Sequence, residues 1–470
     1  MDKNIEDRYV IILAVLTQFI ACFVGAMITI ALKDMQMDLS LNSWQVNLLS
    51  IIYYIVMISI SLPISKVVSN FGIKRYLKFN MILLIFSLFL AGFAINAEML
   101  ILARILQGVC FAAFAVSVYV IVVKQICDEK LGPVLGLVSS AGYVGMTSAP
   151  TVSGFIISFL DWRWTFIFMV IFCVIAVWVT TRIETEWREE TPFNVTGSVF
   201  YFISMLMITM GIFSLDSIGI IPIAIGLISL AIFVKTERGK ENQIFNLDIF
   251  KNIEVDIGSF AAVSSNYITY VLTHIITLFL LYVKDVSPHI GGMILLVTPV
   301  TMIITSPISG RLTNRFDSRL LCAIALILLV ITLAMMTVLE ELPFGLLIAA
   351  MVLQGMGHAL FSPANTKNVL TTVDDEDVAN ASAFLSTSKD FGKSISIGVF
   401  NTICAFVGLN FDKISEVNEQ LLVASDIAIF IAIIPAVISI ILLIYSKYKF
   451  AERVNIKIWN FLKSMTQIRG

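Results

Sequence analysis

Two apolar segments of the chain carry nearly the same six residues: residues 103–108 read ARILQG, and residues 350–355 read AMVLQG. Further pairs match at the same offset of 247 residues: Ala112 with Ala359, Asp128-Glu129 with Asp375-Glu376, and Gly145 with Gly392. A near-constant offset over several features indicates an internal repeat, and therefore two halves built on one structural plan.

The composition around these segments is typical of an integral membrane protein. Of 470 residues, 58% are hydrophobic and 14% are charged, whereas soluble domains carry about 25% charged residues. A membrane-spanning helix needs about 20 mostly apolar residues, and run length favours helices over the short alternating strands of a barrel. An all-α fold with fourteen spans is predicted, at about 9–32, 46–65, 76–97, 99–123, 131–158, 164–181, 195–214, 218–234, 256–283, 290–309, 320–338, 343–365, 380–408 and 422–446.

The distribution of lysine and arginine predicts the orientation, because cytoplasmic loops are enriched in both. With Met1 in the cytoplasm, 24 of the 31 basic residues fall in cytoplasmic segments. The outer segments hold four, namely Lys33, Arg163, Lys284 and Lys413, and the spans hold Arg104, Lys389 and Lys393. We therefore expect a multi-pass protein of the cell membrane with both termini in the cytoplasm.

The repeat and the span count together predict the domain organisation. We expect a six-helix bundle at 1–185, inserted helices 7 and 8 with their linkers at 186–254, a second six-helix bundle at 255–446 and a cytoplasmic tail at 447–470. Parallel repeats of this kind in transporters place a substrate site between the halves near the middle of the membrane.

Arg104, Gln107 and Gly108 form the pattern Arg-x-x-Gln-Gly in the fourth span. Through this pattern and two that follow, the chain resembles the major facilitator superfamily and, within it, the 14-span drug:proton antiporter family. Residues 149–154 read APTVSG where the antiporters carry Gly-Pro-x-x-Gly-Gly, and residues 162–166 read WRWTF, similar to Trp-Arg-Trp-x-Phe. The resemblance implies export of small amphipathic compounds in exchange for protons by alternating access, in a protein that functions as a monomer in the lipid bilayer.

Two motifs of that family are altered in this chain. The loop after span 2 keeps Gly72, Lys74 and Arg75, and its counterpart in the second half contains Arg311 and Arg315. Ser69 and Asn70 replace the acid and the base of the loop motif, and Val24 or Gly25 stands where family members often carry an acid in span 1.

Charged side chains inside apolar spans are the first candidates for function, because one such charge costs about 2.5–3.5 kcal/mol on insertion scales. Arg104 with Gln107 is one candidate site, although Arg104 could also extend to the nearby membrane surface. Lys389, Asp390 and Lys393 form the densest charge cluster, in which Lys389 and Lys393 share a helix face. This cluster is predicted either to couple transport to protons or to form a structural ion pair.

Weaker candidates are uncharged. His274 could titrate near neutral pH, although a lone histidine is more often a packing residue, which is the interpretation we give to His358. Gln18 and Asn266 could line a cavity. Four residues of span 5 are expected to form a gating or helix-packing face because small residues allow close helix approach: Gly142, Gly145, Pro150 and Gly154.

Other classes of function find little support in the sequence. The net charge of −2 offers no basic field for nucleic acid, and six scattered cysteines with three histidines predict no metal site. Gly392-Lys393-Ser394 lacks the first glycine of a phosphate loop, because Thr387 stands in its place. We expect no cofactor and a proton gradient as the energy source. The alternatives are a proton-coupled transporter of a specific metabolite or siderophore and, more remotely, a membrane sensor or enzyme.

Overall fold

The structure, a computed structural model, describes residues 3–188, 193–213, 219–238, 243, 246–286, 288–338, 343–408 and 414–467. These residues form helices and contain no strand. The helices are α1 (Lys3–Asp38), α2 (Ser43–Phe71), α3 (Ile73–Gly92), α4 (Ala97–Gln125), α5 (Asp128–Phe159), α6 (Arg163–Thr181), α7 (Val195–Phe213), α8 (Ile220–Glu237), α9 (Ile253–Leu278), α10 (Pro288–Leu295), α11 (Val297–Leu312), α12 (Ser318–Met336), α13 (Phe344–Leu370), α14 (Val378–Val407) and α15 (Ile414–Gln467). A short 3-10 helix (Leu247–Lys251) precedes α9, and a π-helical turn (Phe279–Val283) follows it.

Each predicted span corresponds to a helix, but the spans differ in apolarity. Among the described residues, eleven helices are long and apolar enough to cross a bilayer by length and composition alone. The predicted spans 131–158, 256–283 and 380–408 are α5, α9 and α14, which are 32, 26 and 30 residues long but more polar. Polar residues are tolerated at membrane depth where they face a protein interior or an aqueous cavity. Helices α5, α9 and α14 all contribute polar residues to the wall of a central cavity.

The tenth span is broken into α10 and α11 at Leu296. Pro299 lies one turn into this region and has no backbone N–H, so the helical hydrogen bond to the Leu295 carbonyl cannot form. Pro299 and Leu295 both line the central cavity. The break therefore lies at the cavity wall, where an interruption of a spanning helix is tolerated.

The helices pack into two bundles with an inserted pair. In the first bundle α1 packs on α4, α5 and α6, and α3 packs on α4 and α6. In the second, α9 packs on α13, α14 and α15, and α12 packs on α13 and α15. The expected fold of two six-helix bundles plus two inserted helices is confirmed, whereas the residue boundaries of the domains stay a prediction.

Glycines matched by the repeat have the same packing role in both bundles. A Cβ on Gly108 would lie 2.8 Å from the Tyr53 carbonyl oxygen of α2, and a Cβ on Gly355 would lie 2.6 Å from the Thr298 carbonyl oxygen of α11. These glycines let α4 approach α2, and α13 approach α11, more closely than any larger residue would allow.

The second matched pair of glycines behaves in the same way. A Cβ on Gly145 would lie 2.5 Å from the Phe19 carbonyl oxygen of α1, and one on Gly392 would lie 2.5 Å from the Val263 carbonyl oxygen of α9. Thus α5 approaches α1 as α14 approaches α9. The sequence repeat is therefore a repeat of helix contacts.

The inserted helices α7 and α8 pack closely on each other at Gly211 and Gly226. Helix α7 also packs against α2 and α14, one from each bundle. The buried Tyr201 hydroxyl lies 3.2 Å from the Ser61 hydroxyl of α2. The inserted pair is thus attached where the two bundles meet.

One end of the helix bundle, where α1 begins, is called the N-terminal face here. At this face Glu6 accepts hydrogen bonds from the backbone N–H groups of Glu184 and Thr185 at 2.9 and 2.7 Å. In the second bundle Glu254, at the start of α9, forms a buried ion pair with Arg319 at 3.5 Å. At the opposite face Arg163 binds Asp38 at 2.7 Å. Polar contacts therefore hold both ends of the first bundle and the N-terminal end of the second.

Candidate functional site

Two pairs of helices join the bundles on the N-terminal side of the molecule. In the first pair, α5 crosses α11 so closely that a Cβ on Gly132 would lie 2.4 Å from the Gly310 carbonyl oxygen. A Cβ on Gly136 would lie 2.6 Å from the Ser306 carbonyl oxygen. The Ser306 hydroxyl donates to the Gly136 carbonyl at 2.9 Å, and the Ser140 hydroxyl donates to the Ile303 carbonyl at 3.0 Å.

The second pair consists of α2 and α14. The Ser61 hydroxyl is hydrogen-bonded to the Thr387 hydroxyl, and the Ser65 hydroxyl donates to Asn380 Oδ1 at 3.3 Å. The Ser382 hydroxyl also reaches α4, where it donates to the Ala115 carbonyl at 3.3 Å. All these groups are small and uncharged, so the contact can open without exposing an unpaired charge to the membrane.

A cavity of about 280 Å³ lies between the bundles near the middle of the helices. Its wall is formed by residues of α1, α4, α5, α9, α10, α11, α13 and α14. The polar residues that α5, α9 and α14 contribute face this cavity rather than lipid, which allows these three helices to be less apolar than the other spans. The polar residues of the wall include Gln18, Tyr119, Ser139, Tyr143, Asn266, Thr269, Tyr270, Thr273, Thr298, His358, Ser362, Lys389 and Lys393.

The predicted charge cluster on α14 reaches this cavity. Lys393 Nζ lies 2.8 Å from Asp390 Oδ1, and the Asp390 side chain is 9% exposed. Lys389 Nζ donates to the Thr366 hydroxyl at 2.9 Å, and no ion pair among the described residues includes it. Both ammonium groups lie over aromatic rings of the wall, Lys389 at 5.2 Å from Tyr119 and Lys393 at 5.5 Å from Tyr270.

The two histidines lie in different surroundings. His358 lines the cavity, and its Nδ1 lies 3.2 Å from the Ser265 hydroxyl and 3.1 Å from the Thr269 hydroxyl. His274 lies outside the cavity wall, with its ring 5.4 Å from that of Phe400. This placement reverses the expectation from the sequence. The repeat offered no signal for His358, because its counterpart at the 247-residue offset is Phe111, a buried packing residue.

The two amides predicted to line a cavity do so. Gln18 and Asn266 are both part of the wall, one on α1 and the other on α9. Gln18 Nε2 lies 3.5 Å from Cys22 Sγ, and Asn266 Nδ2 donates to the Ala262 carbonyl at 2.9 Å. Their positions place one amide on each side of the cavity, although their roles in transport stay a prediction.

Arg104 and Gln107 are buried inside the first bundle instead. Arg104 is 1% exposed, and its Nη1 donates to Gln107 Oε1 at 2.9 Å. Its Nε donates to the Leu49 carbonyl at 3.3 Å, and its Nη1 reaches the Val24 carbonyl at 3.5 Å. The guanidinium lies over the Tyr53 ring at 4.7 Å. Because α1 offers only the Val24 carbonyl where a family acid would stand, no carboxylate pairs with Arg104 among the described residues.

The predicted small-residue face of span 5 packs within the first bundle. Gly142 faces Gln18 and Cys22 of α1, and Gly145 faces the α1 backbone. Among the described residues, a Cβ on Gly154 would meet Ile30 alone, at 3.9 Å, and Pro150 lies in the same stretch of α5.

The contact between the bundles uses Gly132 and Gly136 of α5, which pack on α11 and were not among the residues predicted from the sequence. The signal was present, since residues 132–136 read GPVLG and residues 306–310 read SPISG. Both are small residues spaced four apart, as in close helix crossings.

The loop-motif residues lie at the N-terminal face. Gly72 has φ +98°, and a Cβ there would lie 2.7 Å from Glu186 Oε1, so this position needs glycine. Lys74 Nζ donates to the carbonyls of Ile183 and Glu184, and Arg75 Nε lies 3.6 Å from Glu186 Oε2. In the second half, Arg311 and Arg315 are exposed at the same face. The surviving motif therefore ties α3 to the segment after α6.

Comparison with known proteins agrees with this geometry. A profile of the Major Facilitator Superfamily matches residues 14–235 and 257–463. The riboflavin transporter RibZ of Clostridioides difficile (strain 630) is 22% identical over 443 residues, which are 93% of this chain and 96% of RibZ. A protein of Yersinia pestis (strain Pestoides F) named "Putative multidrug resistance protein MdtD" is 25% identical over 359 residues, 74% of this chain and 77% of that protein.

Solved structures with the same architecture have little sequence in common with the chain. The human organic anion transporter MFSD10 (TETRAN) aligns with a TM-score of 0.68 at 9% identity, covering 94% of this chain and all of that one. The proton:xylose symporter XylE, bound to 6-bromo-6-deoxy-D-glucose, aligns with a TM-score of 0.66 at 11% identity, covering 93% and 95%. Because the profile extends through both bundles, the chain belongs to the Major Facilitator Superfamily, and it is a multi-pass membrane transporter of small molecules rather than an enzyme.

Proposed function

We propose that this chain is a proton-coupled secondary active transporter of small amphipathic organic compounds that works by alternating access. The observation that carries the proposal is the central cavity with the Asp390–Lys393 ion pair at its edge, between two bundles joined by small uncharged residues. In an apolar surrounding, an acid next to a base can lose its pairing when the acid takes up a proton.

The proposed cycle begins with the bundles closed at the N-terminal face. A substrate in the cavity is held by the mixed polar and apolar wall, and it reaches the cavity from whichever side of the molecule is open. Rocking of one bundle against the other would then separate α5 from α11 and α2 from α14. The hydrogen bonds lost in this step are neutral, each worth about 0.5–1.5 kcal/mol, so a change in the protonation of Asp390 could bias the equilibrium.

Export in exchange for protons is the first candidate for the direction of coupling. It is supported by the resemblance of residues 149–154 and 162–166 to the drug:proton antiporters and by the similarity to MdtD. In an exchanger, the proton and the substrate compete for one site. A cationic substrate would compete in this way, because it would pair with the Asp390 carboxylate only while that group is ionised.

Proton-coupled movement of a specific metabolite in the same direction as the proton is the second candidate. The similarity to RibZ over nearly the whole chain supports it, and so does the positive charge of the cavity wall. Protonated Asp390 cannot pair with Lys393, which leaves the ammonium available to an anionic substrate. The proton and an anion would then favour each other's binding.

The test uses purified protein in lipid vesicles with three fluorescent compounds: cationic rhodamine 123, neutral riboflavin and anionic fluorescein. We expect uphill movement of at least one of them on a pH gradient and its loss with an uncoupler. Accumulation in vesicles that are acidic inside indicates exchange, and accumulation in vesicles that are acidic outside indicates movement with the proton. No uphill movement on either gradient would contradict proton coupling.

The variant Asp390→Asn tests the assigned acid. We expect it to abolish uphill movement while downhill exchange of labelled for unlabelled substrate continues, because asparagine cannot gain or lose a proton. Asp426→Asn is the matched control, since Asp426 also lies within a span but outside the cavity wall. If Asp390→Asn still drives uphill movement at the parent rate, the proton passes elsewhere.

A further inference from the structure

The charge of the cavity wall bears on the chemical class of the substrate. Lys389 and Lys393 are the charged residues among the described residues that form the wall, and these include no carboxylate. Asp390 offsets Lys393 through its 2.8 Å contact. Two lysines and one aspartate leave this cluster with a net charge of +1, and among the described residues Lys389 is the lysine of the cluster without an ion pair.

Arg104 adds to this imbalance from within the first bundle. Its partners are the Gln107 side chain and two backbone carbonyls. The position on α1 that could have supplied an acid offers the Val24 carbonyl instead. Among the described residues, two positive charges within spanning helices thus form hydrogen bonds with neutral partners, and a buried charge is costly unless an opposite charge accompanies it.

Lys389 has the geometry of a binding group. Its ammonium donates to the Thr366 hydroxyl at 2.9 Å and lies 5.2 Å from the centre of the Tyr119 ring. A lysine ammonium has three donors, so donors remain for a group in the cavity. Tyr143 and Tyr270 add further rings to the wall, and such rings stack favourably on a planar aromatic molecule.

We propose that the substrate is an aromatic carboxylate whose anionic group binds the ammonium of Lys389 and whose ring packs among Tyr119, Tyr143 and Tyr270. This inference rests on the proposed function only in taking the cavity as the substrate site. An anion and a proton that favour each other's binding travel together, so an anionic substrate selects the second candidate for the direction of coupling.

The test is equilibrium binding to the full-length protein in detergent micelles without a gradient, measured by fluorescence anisotropy. The probes are fluorescein and rhodamine 123, which share a xanthene ring system and differ in the sign of their charge. We expect the parent to bind fluorescein more tightly. Lys389→Met should weaken fluorescein binding about tenfold or more, because a charge-assisted hydrogen bond is lost, and should leave rhodamine 123 binding equal or tighter.

Three further variants separate charge from folding. Lys389→Arg keeps the charge and should retain fluorescein binding within about threefold, whereas Lys78→Met removes an exposed lysine of α3 and should change nothing. Asp390→Asn should tighten fluorescein binding, because it frees the charge of Lys393. Tighter binding of rhodamine 123 by the parent, binding of neither dye, or unchanged fluorescein affinity in Lys389→Met would overturn the inference. A cation that is bound and carried uphill in vesicles would overturn it too, while leaving the proposed transporter intact.

Discussion

Arg104 is the residue whose burial most needs a reason. An arginine inside a spanning helix costs up to about 2.5–3.5 kcal/mol, the value at the helix centre. Arg104 forms hydrogen bonds to α1, to α2 and to its own helix α4. Its Nη2 atom is buried without a hydrogen-bond partner among the described residues, as is Gln107 Nε2. The Arg104–Gln107 pair thus contains two buried donors without partners among the described residues. Burying a donor without a partner costs free energy in this conformation.

We predict that Arg104→Ala abolishes transport while the protein still inserts in the membrane. The change leaves Gln107 Oε1 and two carbonyls without their donor, which should lower the free energy of unfolding by about 1–3 kcal/mol. Arg104→Lys should restore transport only partly, because a point charge cannot reach three acceptors at once. The measurements are vesicle transport and thermal unfolding of the purified protein.

The control for Arg104 is Arg182→Ala, which removes an exposed guanidinium lying over the Trp178 ring at the end of α6. It should transport like the parent. Parent-level transport in Arg104→Ala would show that the arginine is dispensable and that its contacts only fill space.

At this scale the sequence predicted which residues are unusual better than it predicted where they lie. Lys389, Lys393, Gln18 and Asn266 reach the cavity as expected. Arg104 does not, because its span rotates it toward α1 and α2. Helix rotation depends on neighbours that a single sequence does not identify, so a charged residue can be recognised without knowing which way it faces.

Between elements, the closest contact of the two bundles on the N-terminal side is the crossing of α5 and α11. At Gly132, Gly136 and Gly310 the backbones touch, and the would-be Cβ distances of 2.3–2.6 Å leave no room for a side chain. The two bundles are therefore in direct backbone contact at this crossing.

We predict that Gly136→Val holds the N-terminal side of the molecule open. The added side chain would collide with the Ser306 carbonyl, and the backbone on both sides cannot yield cheaply. The reporter is Cys22, a native cysteine of the cavity wall, in protein whose other five cysteines are serine. Labelling by a membrane-impermeant thiol reagent from the N-terminal side should rise, and transport should fall.

Gly345→Val is the control for Gly136→Val, because no atom of the residues that the structure describes lies within 4 Å of a Cβ at position 345. Its Cys22 labelling and transport should match those of the parent. If Gly136→Val transports normally with unchanged labelling, the α5–α11 crossing does not control access.

Small-residue spacing marked these crossings in the sequence, yet it did not say which helix each one meets. Gly142 and Gly145 on α5 face α1, whereas Gly132 and Gly136, earlier on the same helix, face α11. A helix of 32 residues contacts several neighbours along its length, and glycines three or four residues apart serve each of these contacts.

For the whole molecule, the repeat and the number of spans predicted the architecture correctly because both depend on long-range statistics rather than on single contacts. The offset of 247 residues places Gly108 and Gly355, and Gly145 and Gly392, at equivalent helix contacts. The location of the cavity follows from this pseudosymmetry. Its charge does not, since Lys389 and Lys393 lie on one helix and have no basic counterpart near Gly142 and Gly145.

The exposed basic residues indicate which face of the molecule lies in the cytoplasm. Exposed basic residues of the N-terminal face include Arg75, Lys78, Arg311 and Arg315, whereas the opposite face has Lys284 and the paired Arg163. Since basic residues are retained on the cytoplasmic side during insertion, the N-terminal face should be cytoplasmic. The described cavity, closed on that face, would then be reached from outside the cell.

Single cysteines test this orientation in intact cells with a membrane-impermeant thiol reagent. Lys284→Cys, at an exposed position of the opposite face, should be labelled directly, and Arg315→Cys should be labelled only after the membrane is permeabilised. Reporter fusions at Met1 and Gly470 should both report cytoplasmic locations, because an even number of spans returns the chain to the side from which it started. Labelling of Arg315→Cys in intact cells would reverse the orientation, and a split result from the two fusions would mean that the number of membrane crossings is odd.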